Sequence, residues 1–154
     1  MIKIRKAKKE DLELITELDI ALAMEISKKD FWKKDEKIFR RLDKSYLTED
    51  LKKNYMFFVA EDKEKMVGFV AGSVKKNPGF FKVKRYGFIR EIYIRPSYRH
   101  KGFGQQLMGQ MIRYFKSKKI KAVQLNVLSN NKQALKMYQS MGFKENRKKM
   151  VKKL

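Results

Sequence analysis

Apolar and polar positions change their period several times along the chain, and each change predicts an element. Ile2 and Ile4 alternate with Lys3 and Arg5, the period of a strand over residues 2–6. From Lys9 to about Lys28 the residues Leu12, Ile15, Leu18, Leu22 and Ile26 recur at helical spacing. Glu10 and Asp11 fall in the first turn of that helix, where its dipole favours anions. Residues 30–53 are polar and aromatic by turns and predict one or two short helices, closed by Asp50-Leu51-Lys52-Lys53-Asn54.

The compact apolar runs Tyr55–Ala60 and Lys65–Val74, separated by Glu61-Asp62-Lys63-Glu64, predict a hairpin. Asn77-Pro78-Gly79 is a turn by its chemistry. Tyr86–Arg95 is the next strand, in the middle of the sheet. After a loop at Pro96–Gly102, Phe103, Leu107, Met111, Ile112 and Phe115 form one apolar helix face. Ala122–Leu128 reads as a strand. Ala134, Leu135, Met137, Tyr138 and Met141 lie on a helix stopped by Gly142. Phe143–Glu145 and Lys149–Leu154 read as short closing strands. The order β-α-α-β-β-β-α-β-α-β-β is an α+β arrangement with a mixed sheet.

A chain of 154 residues with 43% hydrophobic and 12% aromatic residues supports one domain with a packed core, taken as residues 1–154. No run approaches the ~18 apolar residues of a membrane span. The N-terminus has no apolar signal-peptide core, so the expected location is the cytoplasm. There is no cysteine, which excludes disulfides, zinc–thiolate sites and a cysteine nucleophile. With His100 as the single histidine, a multi-histidine metal site is excluded too, and no metal is expected.

Charge is unevenly spread. Of the net +22, residues 1–65 contribute little, with 17 Lys/Arg against 15 Asp/Glu, whereas residues 66–154 carry 22 Lys/Arg against Glu91 and Glu145 alone. Such a half attracts polyanions, whether nucleotide phosphates, nucleic acid or acidic protein surfaces. Dispersed lysine serving solubility explains the composition equally well.

The densest chemistry lies in Ile89-Arg90-Glu91-Ile92-Tyr93-Ile94-Arg95-Pro96-Ser97-Tyr98-Arg99-His100-Lys101-Gly102-Phe103-Gly104. A strand runs into a basic loop with two glycines that opens directly into a helix. Unpaired N–H groups of such a loop and first turn converge on one anion, and glycine lets the ligand approach closely. A dinucleotide-binding turn would place a third glycine at Leu107 and an acid about 20 residues on, and neither is present. A Walker loop fails for want of Gly-Lys-Ser/Thr.

Arg99-His100-Lys101-Gly102-Phe103-Gly104 resembles the coenzyme A signature Arg/Gln-x-x-Gly-x-Gly/Ala of the GNAT N-acetyltransferases, and Ile92-Tyr93-Ile94-Arg95-Pro96-Ser97-Tyr98 is similar to its usual lead-in. Downstream, the run from Asn131 through Ala134 and Tyr138 to Gly142-Phe143 resembles the family's Asn-x-x-Ala-x-x-x-Tyr-x-x-x-Gly-Phe element. The two motifs cover roughly residues 84–145, and the element order extends the likeness over nearly the whole chain.

The resemblance implies an acetyl-CoA-dependent N-acetyltransferase with a mixed, mostly antiparallel sheet flanked by helices. Backbone groups of Ile92, Tyr93 and Ile94 would meet the pantetheine arm. Amides from His100 through Lys101, Gly102, Phe103 and Gly104 to Gln105 would hold the pyrophosphate, with charge from Arg99 and Lys101. His100 is a loop or phosphate contact rather than a base. Asn131 would touch the cofactor's arm or cap its helix.

Tyr138 would protonate the departing thiolate, or else it is a core tyrosine. Glu91, the one acid between Met66 and Lys144, would take the proton of the acceptor amine or else pair with Arg85, Arg90 or Arg95. Without cysteine, direct attack of the amine in a ternary complex is expected.

The acceptor is left open: a protein N-terminus, a lysine or a small amine, with an acidic or nucleic-acid-associated acceptor among the readings that the basic half allows. In this family it is selected by segments equivalent to residues 20–53 and 77–84. Phe31, Trp32, Phe39 and Tyr46 are read as core, or else as lining an acceptor cleft. Monomer and homodimer both remain open. The competing function is a basic nucleic-acid- or ribosome-associated module that keeps the coenzyme A fold.

Overall fold

The computed structural model describes residues 2–42 and 55–154. Strand β1 (Ile2–Lys6) leads through a short 3-10 turn (Lys9–Asp11) into helix α1 (Leu12–Lys29). Residues 36–42 are helical. The expected closing segment at residues 50–54 lies outside the described residues, as does Tyr46. Then come β2 (Tyr55–Asp62), β3 (Lys65–Lys76), β4 (Arg85–Ile94), α2 (Phe103–Ser117), β5 (Val123–Leu125) and α3 (Lys132–Ser140). None of the described helices is long and apolar enough to cross a membrane.

The sheet runs in chain order, antiparallel from β1 to β4 and parallel between β4 and β5. This is the mixed, mostly antiparallel arrangement that the resemblance implies. The turn between β2 and β3 narrows to Lys63 and Glu64, with φ of 48° and 65°, the left-handed pair that matches strand twist.

One core lies on each face of the sheet. On one face α1 buries Ile15 and Leu18 against Phe57, Val59, Phe69 and Tyr93. On the other, α2 packs Leu107, Met108, Met111 and Phe115, each fully shielded, against Val67, Val70 and Ile89. Burying such a side chain contributes roughly 1.5–3 kcal/mol. The Phe115 ring lies so close to β4 that a Cβ on Gly87 would fall 2.6 Å from it. Gly87 is therefore the residue that lets α2 settle on the sheet.

Three expectations are corrected. The strand expected over Ala122–Leu128 is formed only at Val123–Leu125, because pairing with β4 ends at Ile89–Leu125. The closing strands expected at Phe143–Glu145 and Lys149–Leu154 are absent, since residues 143–154 are not in a strand. Phe143 packs on the α2-side core without pairing to a strand, whereas in the last segment Met150 is 92% exposed and Leu154 fully so. Alternation amid Lys148, Lys149, Lys152 and Lys153 does not supply a face to bury. Phe31 and Trp32 are not core either. They pack edge to face at 4.9 Å on the surface, 49% and 59% exposed, while Phe39 is half-buried.

Candidate active site

The site begins where two parallel strands part. Gly87, Phe88 and Ile89 pair with Val123, Gln124 and Leu125, and no pairing between β4 and β5 follows, although β4 continues to Ile94. On its other side β4 stays on β3, with Glu91 opposite Ala71 and Ile94 opposite Gly68. The register slips between these stretches, Ile89 facing Gly72 directly after Glu91 faces Ala71, so Arg90 is an extra, bulged residue. A bulge bends a strand and increases its twist, and this one sits at the point of parting.

The bulge decides which backbone groups face the gap. The Arg95 amide donates to Val67 O at 2.9 Å. Antiparallel bonds alternate, so Tyr93 and Glu91 spend their amides on β3, while the backbone of Ile92 and Ile94 faces the β5 side. Of the three expected to meet the pantetheine arm, Ile92 and Ile94 thus aim backbone groups at the gap and Tyr93 does not. Tyr93 is 7% exposed and belongs to the α1-side core.

At the end of the gap lies the anion cradle. Tyr98 and Arg99 amides donate to Arg95 O and Pro96 O at 2.9 and 3.2 Å, and the first helical bond of α2 is Gln106 N to Gly102 O at 3.1 Å. Between them the amides of residues 100–105 have no hydrogen-bond partner among the described residues, and no side chain caps α2. His100 and Gly102 hold φ of 62° and 80°, left-handed values that turn the loop sharply into the helix. A Cβ on Gly102 would meet nothing within 4 Å, so the space over it is open.

The side chains of the loop have separate tasks. Arg99 donates from both terminal nitrogens to the two carboxylate oxygens of Glu25 on α1, at 2.9 and 2.7 Å, and from Nε to Ile94 O at 2.9 Å. It therefore pins the loop to α1 instead of presenting a free charge to a phosphate. Lys101 is exposed and bonds Ser97 O at 3.2 Å. His100 lies 3.4 Å from Gln133 and Gln105 lies 3.4 Å from Ser140, which tie the loop and α2 to α3. Phe103 packs against the α2-side core.

Asn131 caps α3, its Oδ1 accepting from Ala134 N at 3.4 Å. Further along α3, Tyr138 is 8% exposed, its ring 5.9 Å from Phe143 and packed in the cluster that holds Ile92, Ile94 and Val127. Its hydroxyl has no partner among the described residues, yet the only side-chain polar atom both sealed and unpartnered there is Ser73 Oγ, so the phenol keeps an opening. Burial pushes its pKa up to about 12.

Glu91 shares a face with its partner Ala71, which is in the α1-side core. Its Oε2 accepts from Arg90 Nε at 2.8 Å, and both side chains are partly exposed. The Arg90 guanidinium also covers the Tyr55 ring at 5.1 Å. The pair with Arg90 is one of the three partners that the sequence offers Glu91, but the bulge leaves no mark in the sequence. Glu25 carries no motif either; only its helical position is legible. No group of His, Asp and Glu suited to a metal occurs among the described residues.

Residues 20–143 match the family model described as the acetyltransferase (GNAT) family. Over 89 residues, 58% of the chain, it is 36% identical to the uncharacterized N-acetyltransferase MJ1207 of Methanocaldococcus jannaschii, and the match spans 39% of that protein's length. A mutant of the BH1408 protein of Bacillus halodurans superposes with a TM-score of 0.86, at 21% identity over 99% of both chains. An aminoglycoside N-acetyltransferase in complex with CoA superposes with a TM-score of 0.79, at 19% identity over 100% of this chain and 95% of its own.

Proposed function

The chain belongs to the acetyltransferase (GNAT) family, and from that premise we propose that it transfers the acetyl group of acetyl-CoA to a primary amine by direct attack. The observation that carries this reading is the strand gap ending in the unpartnered amides of residues 100–105. Backbone groups of Ile92 and Ile94 line a slot for an extended arm, and the cradle at its end suits a pyrophosphate. Acetyl-CoA supplies an activated thioester. Everything else in the reaction falls to positioning and proton movement by the chain.

Glu91 and Tyr138 divide that work across the sheet. Glu91 lies on the α1 face beside the gap and takes the proton of the acceptor amine, directly or through water. Tyr138 belongs to the cluster on the α2 face, and its unpartnered hydroxyl donates to the sulfur as the C–S bond breaks. A phenol near pKa 12 holds its proton more tightly than an ordinary thiol does, by roughly 3 units. Its main contribution is accordingly a hydrogen bond that strengthens as charge grows on sulfur. In this reading the Ile92 amide polarises the acetyl carbonyl, and Asn131 braces the helix that carries Tyr138.

The test is an acceptor screen with acetyl-CoA, reading free thiol across peptides, polyamines, amino acids and aminoglycosides. Amine-dependent thiol release is expected for one class. Absence of both release and CoA binding would overturn the proposal.

A further inference from the structure

A second charged feature lies at the other end of the sheet, about 30 Å from the cradle along β4 by the rise of a strand. The loop between β3 and β4 is built to a fixed shape. Asn77 N donates to Lys84 O at 2.9 Å, Asn77 Nδ2 to Val83 O at 2.8 Å and Phe81 N to Pro78 O at 3.1 Å, and the Lys84 ammonium reaches Gly79 O. This frame holds two aromatic rings in water. Phe80 is 84% exposed and Phe81 47%, with ring centroids 4.8 Å apart and planes inclined at 33°. Exposing two such rings forfeits a few kcal/mol of burial, and nothing in the packing of the loop requires it.

Cations surround the pair. Lys82 and Lys84 stand on the loop, and Lys76 faces Arg85 across the ladder that the loop joins. The end of α2 comes alongside, because Gly87 N donates to Ala122 O at 2.9 Å and Gly87 pairs with Val123, bringing exposed Lys118 and Lys121 beside the start of β4. Between Met66 and Lys144 the chain's only acid is Glu91, six positions along β4 from Arg85 and held by Arg90.

We infer that this end of the sheet binds single-stranded nucleic acid, its bases on Phe80 and Phe81 and its phosphates on the surrounding lysines and Arg85. Aromatic faces within a track of cations are what unpaired bases on a phosphate chain require. The cations run from the loop back along β4 to the end of α2. That suits a chain of phosphates better than a membrane, which would meet the loop tip alone. The inference stands apart from coenzyme A binding, since none of these residues lies in the strand gap or the cradle.

The experiment is fluorescence anisotropy with a labelled oligouridylate of about 12 nucleotides, within the usual span of such sites, titrated at rising KCl with and without saturating CoA. Three proteins are compared: the natural chain, Phe80→Ala/Phe81→Ala and Lys82→Glu/Lys121→Glu. The aromatic variant should weaken binding tenfold or more with an unchanged salt slope. The charge variant should flatten the slope by roughly 0.7 for each phosphate no longer neutralised. CoA should not displace the oligonucleotide.

Equal binding by the aromatic variant would overturn the inference, as would displacement by CoA, which would place the polyanion in the cradle. So would capture of the protein by phosphatidylserine vesicles that depends on the two phenylalanines while oligonucleotide binding does not. The substituted side chains are exposed, and the CoA affinity of each variant reports that the fold is intact.

Discussion

Arg99 and Glu25, 74 positions apart, form a two-point ion pair that fastens the cradle loop to α1. The same guanidinium donates to Ile94 O, at the end of the strand that lines the gap, and lies over the Tyr93 ring at 5.4 Å. One side chain thus fixes the strand end, the loop and a helix from the far half of the chain.

Glu25→Gln tests that role. The hydrogen bond from Arg99 holds the Glu25 carboxyl below its ordinary pKa. The pair therefore stabilises the fold above the usual carboxylate range, and this is lost as pH falls through the depressed value. Glu25 is partly exposed, so the contribution is modest, about 1 kcal/mol or less. The variant should bind CoA a few-fold more weakly, and the acid-induced loss of affinity expected of the natural chain should shrink. Calorimetry from pH 3 to 7 measures both; identical pH dependence in the two proteins would assign the pair no part in holding the loop.

Gly102→Val should weaken CoA binding well beyond tenfold. No atom lies within 4 Å of the new Cβ, so the effect does not come from a clash inside the protein. It comes from a β-branched residue at φ 80°, where even a simple side chain costs roughly 1–2 kcal/mol, and from methyl groups over the free amides. Gly102→Ala should show the backbone part alone. Unchanged affinity in the valine variant would remove the cradle assignment.

Much of this site is legible in the sequence because its parts are local. Gly102, Gly104, Asn131 and Tyr138 sit at fixed offsets on elements whose periods are clear, and the helix faces of α1 and α2 fall where Ile15, Leu18, Leu107, Met111 and Phe115 place them. What stays hidden depends on partners far along the chain. Glu25 looks like any surface acid of a helix until Arg99 arrives. The bulge at Arg90 exists only as a mismatch between β3 and β4. The closing strands fail because Lys149–Leu154 has a strand's alternation without an apolar surface to receive it.

Tyr138→Phe should lower turnover well over tenfold, at least ~1.4 kcal/mol of transition-state stabilisation, with little change in CoA affinity. Folding stability should barely move near neutral pH, because the hydroxyl bonds nothing among the described residues. With its pKa pushed up to about 12, the phenol is protonated throughout the working range, so it adds no basic limb below about pH 11. It does add a cost at high pH: an unfolded tyrosine ionises near 10 and the folded one later, so stability falls between these values. The phenylalanine variant should lose that alkaline slope. Normal turnover per folded molecule would make Tyr138 a core residue alone.

Glu91→Gln separates a base from a structural ion pair. The carboxylate touches Arg90, whose guanidinium also covers Tyr55, so the pair could simply brace the bulge that opens the gap. If Glu91 takes the amine's proton, the variant loses the acidic limb of its pH–rate profile, because the group that must be ionised is gone. CoA affinity stays near normal, since Glu91 faces the α1 side and the cradle lies beyond Ile94. If Glu91 only braces Arg90, the profile keeps its shape and the loss appears as lower stability and weaker CoA binding through a disturbed gap.

Arg90→Gln completes the comparison. It breaks the same ion pair while leaving the carboxylate in place, so a bracing role predicts that both variants fail alike. A base freed from Arg90 should instead remain active, because the carboxylate that takes the proton is still in place. Measuring both profiles with one acceptor decides between the two. An acidic limb unchanged in Glu91→Gln would send the proton through water to a different group.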